Sequence, residues 1–487
     1  MGQAARLQAR LSGLVGRGRR IAPTTWALAV GACAVLTTIG ADARWLAALG
    51  GAIVRTGAIP SGVPYASIPS DGWHNAPVLA ELVCHGLEAG LGDRGLVLLQ
   101  VVAVAVALGV LARQIAAEAG STYVSGLVVL LVPAGAASAF LIVRAQVFSL
   151  ALFPLLLLLL RAEARAPSRR IWLLVPLVVL WTNLHGAVLV GIAVAACYLL
   201  VDRFRTDRLV AIGVLVASAA AAFATPAGAA TGRYYLGALG NAWASAHEGL
   251  WAPPSPRQPL DVLFVVVALP LAAAAVRARP RPWEWLAAAG LAVAVATAAR
   301  NEVWLVVFLA PLAARGLRRG VPLRPARVAF AGPLLVAAAG LVVAALVRAP
   351  TQLGAGPALR QEAVAAARGT PILADPYDAE QLALQGATIV IGNPIDAFDG
   401  RDQRLYVDWV RGSPTAGRLL APTARVALVR RGIAAQRRLA RDPAYCAAAA
   451  DRRSILYVRR EPAGRGMLSS AARTGTGCPA FHADERT

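Results

Sequence analysis

The chain has 487 residues, of which 57% are hydrophobic and 15% are charged, and its mean hydropathy is +0.59. One soluble core could not bury so much apolar surface, which indicates a helical membrane protein with many spans. The formal net charge is +22 and is carried by arginine, without any lysine. The arginines recur between apolar runs and form no basic stripe with interleaved aromatic residues. This pattern favours cytoplasmic loops near anionic lipid headgroups and argues against a nucleic-acid partner.

Apolar runs long enough to approach the hydrocarbon thickness of a bilayer predict about eleven transmembrane helices. A run of about 20 residues is needed for a helix to cross roughly 30 Å, and shorter runs can tilt less or use flanking residues. The predicted spans are Ile21 to Ala41, Gly95 to Ala112, Ser121 to Phe140, Val147 to Leu160, Ile171 to Thr182, Ala187 to Val201, Leu209 to Ala224, Leu260 to Val276, Trp283 to Ala299, Val303 to Ala314 and Val328 to Val347.

Arginine clusters predict the orientation of these spans. One cluster precedes the first predicted span, one follows each of the fourth, sixth and eighth spans, and one precedes the last span. All of these clusters face the cytoplasm if the N-terminus lies inside. Residues 1–20 then form a basic cytoplasmic N-terminus, residues 21–348 form the transmembrane domain, and an odd number of crossings places the C-terminus outside. All five histidines then fall on the outer side, which is where we expect the function.

The composition changes after Val347. In residues 349–487, strand-like apolar runs alternate with helix-like stretches, which predicts a small α/β domain outside the membrane. The strand-like runs are Pro371 to Ala374, Ala387 to Ile391, Ala424 to Val429 and Ser454 to Val458, and the helix-like stretches are Asp378 to Leu384 and Ile433 to Ala440. Residues from Glu461 onward are expected to form a frayed tail. Cys446 and Cys478 would both face an oxidising compartment, so a disulfide between them is one hypothesis.

Two predicted outer loops contain candidate functional residues. The first, 42–94, is far longer than the usual connection of about 2–8 residues between bundle helices, and it contains Asp42, Asp71 and Glu81. Asp42 lies where the first helix leaves the lipid, and partial desolvation there would raise the proton affinity of a carboxylate and suit it to general-base work. Alternatively, Asp42 only marks the water boundary. The second loop, 225–259, is rich in aromatic residues and prolines.

Residues scattered over most of the chain resemble the pattern of bacterial multispanning proteins of the GT-C glycosyltransferase superfamily, similar to the dolichyl-phosphate-mannose mannosyltransferases. The residues that carry the resemblance are Asp42, Trp45, Gly50, Ile53, Gly57 and Pro60; Arg144, Gln146, Phe148 and Ser149; Trp181, Asn183, Leu184, His185 and Gly186; Pro226 and Gly228; Glu248, Trp251 and Pro254; Arg300 and Asn301; and Asp399, Gly400 and Arg401 before Tyr406. The chain departs from that pattern at Leu46, where relatives commonly carry a histidine. It also departs at Ala76, Pro77 and Val78, where relatives commonly carry a run of histidine, glutamate and tryptophan.

The resemblance implies a GT-C-like fold and an enzyme of the bacterial inner membrane. Such an enzyme takes a sugar from a polyprenyl phosphate and passes it, with inversion, to a cell-envelope acceptor at the outer face. Asp42 matches the acidic residue of the superfamily and is the expected base, with Asp71 or Glu81 as substitutes. Arg144 and Arg300 are expected to bind the lipid phosphate, because guanidinium groups pair with phosphate oxygens. Snorkelling at helix ends is the alternative role for both arginines.

Further donor-binding residues and a pair of candidate metal ligands complete the predicted site. Asn183 and His185 lie in a polar break between two apolar half-runs, which is tolerated at membrane depth where it lines a cavity, and they join Arg144, Arg300 and Asn301 as expected donor-binding residues. His247 and Glu248 are adjacent and are candidate ligands for a divalent metal, although two residues do not define a metal site.

A membrane protein without catalytic activity is the alternative function. Such a protein would be a scaffold or a transporter of lipid-linked glycans with the same fold. A transporter is expected to have inverted repeats and charged residues near the middle of the bilayer. In this chain the charges cluster at the ends of the spans, which favours the transferase.

Overall fold

The computed structural model describes residues 21–40, 42–318, 331–348, 350–460 and 482–483. The predicted cytoplasmic N-terminus and most of the predicted tail lie outside the described residues. Cys478 does as well, so the hypothesis of a disulfide with Cys446 stays a prediction. The Sγ atom of Cys446 lies 3.5 Å from the carbonyl oxygen of Val458.

The chain is divided into two compact units, and each unit gathers segments that are far apart in sequence. The helical unit consists of Met1–Thr38, Asp93–Thr225 and Gly249–Pro350. The mixed unit consists of Ile39–Gly92, Pro226–Glu248 and Thr351–Thr487. The two outer loops predicted from the sequence therefore fall largely in the same unit as the C-terminal segment.

The helical unit is built from α-helices joined by short turns. Its α-helices are Ile21–Leu36, Asp93–Ala119, Thr122–Gly135, Ala137–Leu141, Val147–Arg165, Leu174–Thr182, Val188–Tyr198, Phe204–Thr206, Arg208–Ala221, Pro259–Arg277, Pro282–Thr297, Glu302–Leu317 and Ala331–Val347. Short 3₁₀ turns cover Arg169–Leu173, Gly249–Trp251 and Ala299–Asn301, and a π-helical turn covers Leu199–Arg203.

Three of these helices are long and apolar enough to cross a membrane: Asp93–Ala119, Val147–Arg165 and Pro259–Arg277. Shorter apolar helices cover Thr24–Leu36, Tyr123–Gly135, Arg208–Ala221 and Leu335–Val347. The chain is therefore mostly helical and compatible with membrane insertion. The count of about eleven crossings stays a prediction.

One predicted span is divided in the structure. The apolar run from Ser121 to Phe140 forms two helices that meet at Ala136, where the backbone leaves the helical region with φ −135° and ψ 41°. Pro133 lies in the last turn of the first helix. Proline lacks an N–H donor and its ring clashes with the preceding turn, which favours a break at this place.

Aromatic side chains fill the interior of the helical unit. Phe153 packs edge-on against Trp181 and Trp304, with ring centroids 6.5 Å and 5.2 Å apart. Gly191 allows the helix Val188–Tyr198 to approach Trp181, because a Cβ atom at this position would lie 2.6 Å from the indole ring. This packing supports the turn that contains His185.

The mixed unit combines helices with a small sheet. Its α-helices are Ala43–Thr56, Val78–Leu91, Thr231–Leu239, Ala242–Ser245, Pro357–Ala367, Pro376–Leu384, Gly400–Val410, Pro414–Leu420 and Ala434–Leu439. The sheet has the strand order Ile372–Ala374, Val426–Arg430, Ser454–Arg459, Tyr445–Ala450 and His482–Ala483. Two-residue strands cover Thr38–Ile39, Ile142–Val143 and Thr351–Gln352 along the chain.

The sheet has both parallel and antiparallel pairs. The first and last pairs in the order are parallel and the two between them are antiparallel. Leu428 lies opposite Leu456 in the centre, and the pairing shifts between Ala447 and Ala449. Helices separate the strands up to Leu439, as the sequence predicts, but three α-helices follow one another between Ile372–Ala374 and Val426–Arg430. A hairpin of two strands follows Leu439.

The structure confirms most of the C-terminal elements predicted from the sequence, but not all. The predicted strand at Ala387 to Ile391 is wrong: Ile389 makes only isolated bridges, with Ile372 and with Ala66. The strand Tyr445–Ala450 was missed. It is rich in alanine, which has a low β propensity, so pairing with Ser454–Arg459 determines its conformation.

Candidate functional site

Asp42, the predicted base, directly precedes the helix Ala43–Thr56 in a constrained conformation. Its φ of 96° and ψ of −38° are rare for a residue with a side chain. The side chain makes no capping hydrogen bond to the helix. Instead, the backbone N–H of Asp42 donates to both carboxylate oxygens of Glu380, at 2.9 Å and 2.7 Å. Strained backbone of this kind persists where the surroundings hold it, and it is frequent at functional sites.

Glu380 is the main residue of this cluster that the sequence did not reveal. It lies in the helix Pro376–Leu384 and is 2% exposed. Asn393 donates its side-chain N–H to Glu380 Oε1 at 2.8 Å and lies 3.4 Å from Asp42 Oδ1. Burial raises the pKa of Glu380 well above its usual value, and the neighbouring charge of Asp42 raises it further. Asp42 therefore lies beside a carboxyl group that holds its proton more strongly than usual.

Tyr65 belongs to this cluster and is influenced electrostatically by Glu81, the second predicted catalytic residue. The Tyr65 hydroxyl donates to the carbonyl oxygen of Asn393 at 3.3 Å. Burial raises the pKa of Tyr65, and the carboxyl groups of Glu380 and Glu81 raise it further. Hydrogen bonds thus join Tyr65, Asn393, Glu380 and the Asp42 backbone into one partly buried network in the mixed unit.

Glu81 has the features of a structural residue. It is 0% exposed in the helix Val78–Leu91 and accepts a hydrogen bond from the Asn75 side chain. Burial raises its pKa to about 8, so the carboxyl group is neutral at pH 7. Its main chain also packs closely on Gly50, where a Cβ atom would lie 2.2 Å from the Glu81 carbonyl oxygen. A neutral, enclosed acid is poorly suited to remove a proton from a substrate.

Asp71, the third predicted catalytic residue, lies elsewhere in the mixed unit. It is exposed and lines a cavity together with His74 and Asp396. No hydrogen bond joins Asp71 to Asp42 or Glu81 among the described residues. The three predicted catalytic acids therefore have three different environments.

The predicted donor-binding residues belong to the helical unit, and His185 is central among them. Trp181 Nε1 donates to Ser149 Oγ at 2.6 Å, and Ser149 Oγ lies 2.8 Å from His185 Nδ1. The Ala187 N–H also donates to Nδ1, at 3.3 Å. Because Nδ1 accepts these hydrogen bonds, the proton of the neutral ring is on Nε2.

The positive charges of Arg144 and Arg300 both influence the protonation of His185. Burial and the positive charges of Arg300 and Arg144 lower the pKa of His185 to about 3, so the ring is neutral at physiological pH. The Arg300 guanidinium stacks on Trp251, with 4.1 Å from Cζ to the ring centroid. Gln146 donates to the Arg300 carbonyl oxygen at 3.3 Å. Two cationic groups thus act electrostatically on a neutral imidazole, and guanidinium groups pair well with phosphate oxygens.

Asn183 and Asn301 have mainly local roles. The Asn183 amide donates to the carbonyl oxygens of Val179 and Ala224, at 2.8 Å and 2.7 Å. The Asn301 amide donates to the carbonyl oxygen of Ala294 at 2.8 Å. Both side chains thus stabilise helix ends next to the predicted donor-binding residues.

His247 and Glu248, the predicted metal ligands, show no further metal ligand nearby. Glu248 forms an ion pair with Arg411 at 3.0 Å, and His247 has a positive φ of 51°. Within the described ranges, no group of three His, Cys, Asp or Glu side chains is arranged to hold a metal ion. The geometry assigns Glu248 to an ion pair.

No protein-family model matches this chain, and no curated protein matches it. The resemblance to GT-C enzymes therefore depends on the individual residues given above.

Proposed function

We propose that this chain is an inverting membrane glycosyltransferase that transfers a sugar from a polyprenyl phosphate to a cell-envelope acceptor. The observation that carries the proposal is the arrangement of Arg300 and His185 in the helical unit. The Arg300 guanidinium stacks on Trp251, and His185 Nδ1 lies 2.8 Å from Ser149 Oγ. Arg144 acts electrostatically on the same imidazole ring. Such an arrangement fits the phosphate of a lipid-linked sugar, because guanidinium groups and an imidazole N–H all donate to phosphate oxygens. The GT-C resemblance of the same residues agrees with this assignment.

The donor cluster would act on the leaving group. As the bond between sugar C1 and the phosphate oxygen breaks, negative charge grows on the polyprenyl phosphate. Arg144 and Arg300 stabilise this charge, and the Nε2–H of His185 adds a neutral donor. The stacking of Arg300 on Trp251 holds the guanidinium in place before the reaction, and such preorganisation lowers the barrier.

Asp42 would act on the acceptor. It takes the proton of an acceptor hydroxyl while the hydroxyl oxygen forms a bond to C1 from the side opposite the phosphate, which inverts the anomeric configuration. Glu380 and Asn393 position Asp42 through its backbone N–H and its carboxylate.

The topology is part of the proposal. We infer about eleven crossings of a bacterial inner membrane, with the N-terminus in the cytoplasm and the C-terminal segment outside. Three helices of sufficient length and apolarity support insertion, and the arginine clusters support the orientation.

The experiment is a transfer assay with the full chain in lipid nanodiscs. The protein is incubated in turn with radiolabelled polyprenyl phosphates that carry different sugars, together with a cell-envelope fraction that supplies acceptor hydroxyl groups, and consumption of the donor is measured. Asp42→Asn is expected to lower the rate roughly 10²- to 10⁴-fold, the usual contribution of a general base. Asp408→Asn removes an exposed carboxylate of the same unit and should leave the rate unchanged.

Binding of sugar-free polyprenyl phosphate tests the role of the arginines separately from the role of Asp42. Arg300→Ala should weaken binding roughly 10- to 100-fold, because charge-assisted hydrogen bonds are lost, whereas Arg257→Ala at an exposed position should not. Asp42→Asn should leave this binding intact. If the wild-type protein binds polyprenyl phosphate but consumes no donor, the alternative of a scaffold or lipid-linked-glycan transporter is correct. If Asp42→Asn retains full activity, Asp42 is not the base.

A further inference from the structure

A cavity of about 400 Å³ lies in the mixed unit, apart from the Asp42 network. Three segments form it: residues 69–74 of the long first loop, residues 230–237 of the second loop, and residues 396–399 of the C-terminal segment. The volume is within the range of small-molecule sites, about 300–1,000 Å³. The proposed transfer reaction does not account for this cavity.

The polar lining of the cavity has an excess of acid. Asp71, Asp396 and Asp399 line it together with His74 and with Arg233, the only arginine among the lining residues. Asp399 Oδ1 also accepts from the Arg401 N–H at the start of the helix Gly400–Val410. His74 Nδ1 lies 2.7 Å from the Gly72 carbonyl oxygen, which can only accept, so Nδ1 carries the proton and Nε2 of the neutral ring is an acceptor. The cavity therefore presents mainly acceptors for a ligand that has many donors.

Asp396 is the best-positioned of these acceptors. Trp73 Nε1 donates to its Oδ2 at 3.1 Å, which fixes the carboxylate between the first loop and the C-terminal segment. Burial raises the pKa of Asp396 to about 6, and the Trp73 hydrogen bond opposes this rise. At pH 7.5 the carboxylate is mostly ionised, and it accepts strong hydrogen bonds from hydroxyl groups.

Aromatic side chains form the apolar part of the lining. Tyr234 is half-buried, while Trp73 and Phe398 are mostly buried. A sugar ring has hydroxyl groups around its edge and C–H groups on its faces. A site that combines carboxylate acceptors with an aromatic surface matches both parts of such a ligand.

We propose that this cavity binds an uncharged saccharide. The excess of carboxylates disfavours anionic sugars such as uronic acids, because like charges repel at close range. The inference does not depend on the proposed transferase activity. A protein that transfers no sugar would still bind a saccharide here, and in an active transferase the cavity would hold part of the glycan acceptor.

Direct binding to the full chain in nanodiscs tests this proposal. The probes are neutral di- and trisaccharides of hexoses and pentoses, with the corresponding uronic-acid saccharides for comparison, measured at pH 7.5 by saturation-transfer NMR and calorimetry. We expect at least one neutral saccharide to bind, and at least tenfold weaker binding of its uronic-acid counterpart.

Variants locate the binding. Asp396→Asn should weaken it at least tenfold, and Tyr234→Ala should weaken it while Tyr234→Phe retains it. Gly237→Leu fills the cavity from the helix Thr231–Leu239 and should abolish binding without loss of helix, because glycine is the weaker helix former. Asp408 and Asp42 do not line the cavity, so the Asp408→Asn and Asp42→Asn variants should bind the saccharide as the wild type does. Loss of sugar transfer in Asp42→Asn is therefore distinguishable from loss of saccharide binding in the cavity.

Three results would overturn the proposal. The first is that no neutral saccharide binds the wild-type protein. The second is that the uronic-acid saccharides bind as tightly as the neutral ones. The third is that Asp396→Asn and Gly237→Leu, each with a normal circular dichroism spectrum, both bind as the wild type does.

Discussion

The two units differ in how many large apolar side chains they expose. Helices of the helical unit expose many of them, such as Leu269, which is 65% exposed in the helix Pro259–Arg277, and the described residues of the mixed unit expose fewer. Both units bury carboxyl groups, among them Glu284 and Glu302 in the helical unit and Asp375 and Glu380 in the mixed unit. An apolar surface is stable if lipid surrounds it, whereas a buried carboxyl group is stable only with hydrogen-bond partners or a proton. The comparison shows that buried acids do not distinguish the two units, whereas the exposed apolar surface of the helical unit is compatible with membrane insertion.

The largest loss of stability is expected when a buried carboxylate of the mixed unit is removed. Asp375 is 0% exposed, and its two oxygens accept from the Arg430 side chain and the Arg430 N–H, both at 2.8 Å. Asp375→Ala leaves the Arg430 charge without this partner, and removal of one member of a buried pair costs about 3–5 kcal/mol. Hydrogen exchange of the strand Val426–Arg430 measures this loss.

The control for this prediction is Asp408→Ala, which removes an exposed carboxylate and should change stability by less than about 0.5 kcal/mol. If exchange of the Val426–Arg430 strand in Asp375→Ala is as slow as in the wild type, the buried acids of the mixed unit are not what stabilises its sheet.

The next effect depends on pH. The folded pKa of Glu81 is about 8, above its ordinary value of 4.5. Its contribution to stability is therefore complete below pH 4.5 and decreases as the pH rises toward 8, by up to a few kcal/mol at about 1.4 kcal/mol per pKa unit. Glu81→Gln cannot ionise, so the mixed unit of this variant should lose less stability than the wild type between pH 5 and pH 8.

Hydrogen exchange of the helix Val78–Leu91, measured at several pH values, checks this prediction. Exchange rates must first be corrected for their intrinsic pH dependence. Glu362→Gln replaces an exposed acid and should follow the wild-type profile. Identical pH profiles for Glu81→Gln and the wild type would show that Glu81 is ionised in the folded protein.

The third effect tests the helical unit. Leu269→Arg places a charge on the exposed face of a helix that is apolar and long enough to cross a membrane. A charge at the centre of such a helix costs about 2.5–3.5 kcal/mol of insertion free energy. The fraction of protein inserted into microsomal membranes should therefore fall.

Leu419→Arg is the matched substitution in the mixed unit, where Leu419 is 52% exposed. This variant should insert and fold as the wild type does, because a charged side chain at a water-exposed position costs little. Equal insertion of the Leu269→Arg and wild-type proteins would show that water, not lipid, covers this part of the helix Pro259–Arg277.

Local patterns in the sequence predict much of the secondary structure. Apolar runs coincide with helices such as Val147–Arg165 and Pro259–Arg277, and alternation of strand-like and helix-like stretches predicts the order of Ile372–Ala374, Pro376–Leu384 and Val426–Arg430. These features depend on neighbouring residues. The strand Tyr445–Ala450 was missed because its alanines indicate a strand only when a partner strand is known.

The candidate site is less accessible to such reasoning. Asp42, His185, Arg144 and Arg300 were selected from the sequence, and their roles stay proposals. Glu380 was not selected, because it is one acid within a helix and is separated from Asp42 by 338 positions in the chain. Glu81 was selected, and only its complete burial shows that it is a neutral structural group.

The amino-acid sequence alone indicated a mostly helical chain that is compatible with membrane insertion, because composition and apolar run length depend on the chemistry of each segment and not on where the segment lies. The tertiary structure decided which polar groups meet: it brought Glu380 and Asn393 to Asp42, placed Arg144 and Arg300 near His185, and formed the cavity around Asp396. The physical reason is that burial and electrostatic interactions depend on distances in space, and the segments that supply these groups are not neighbours in the chain.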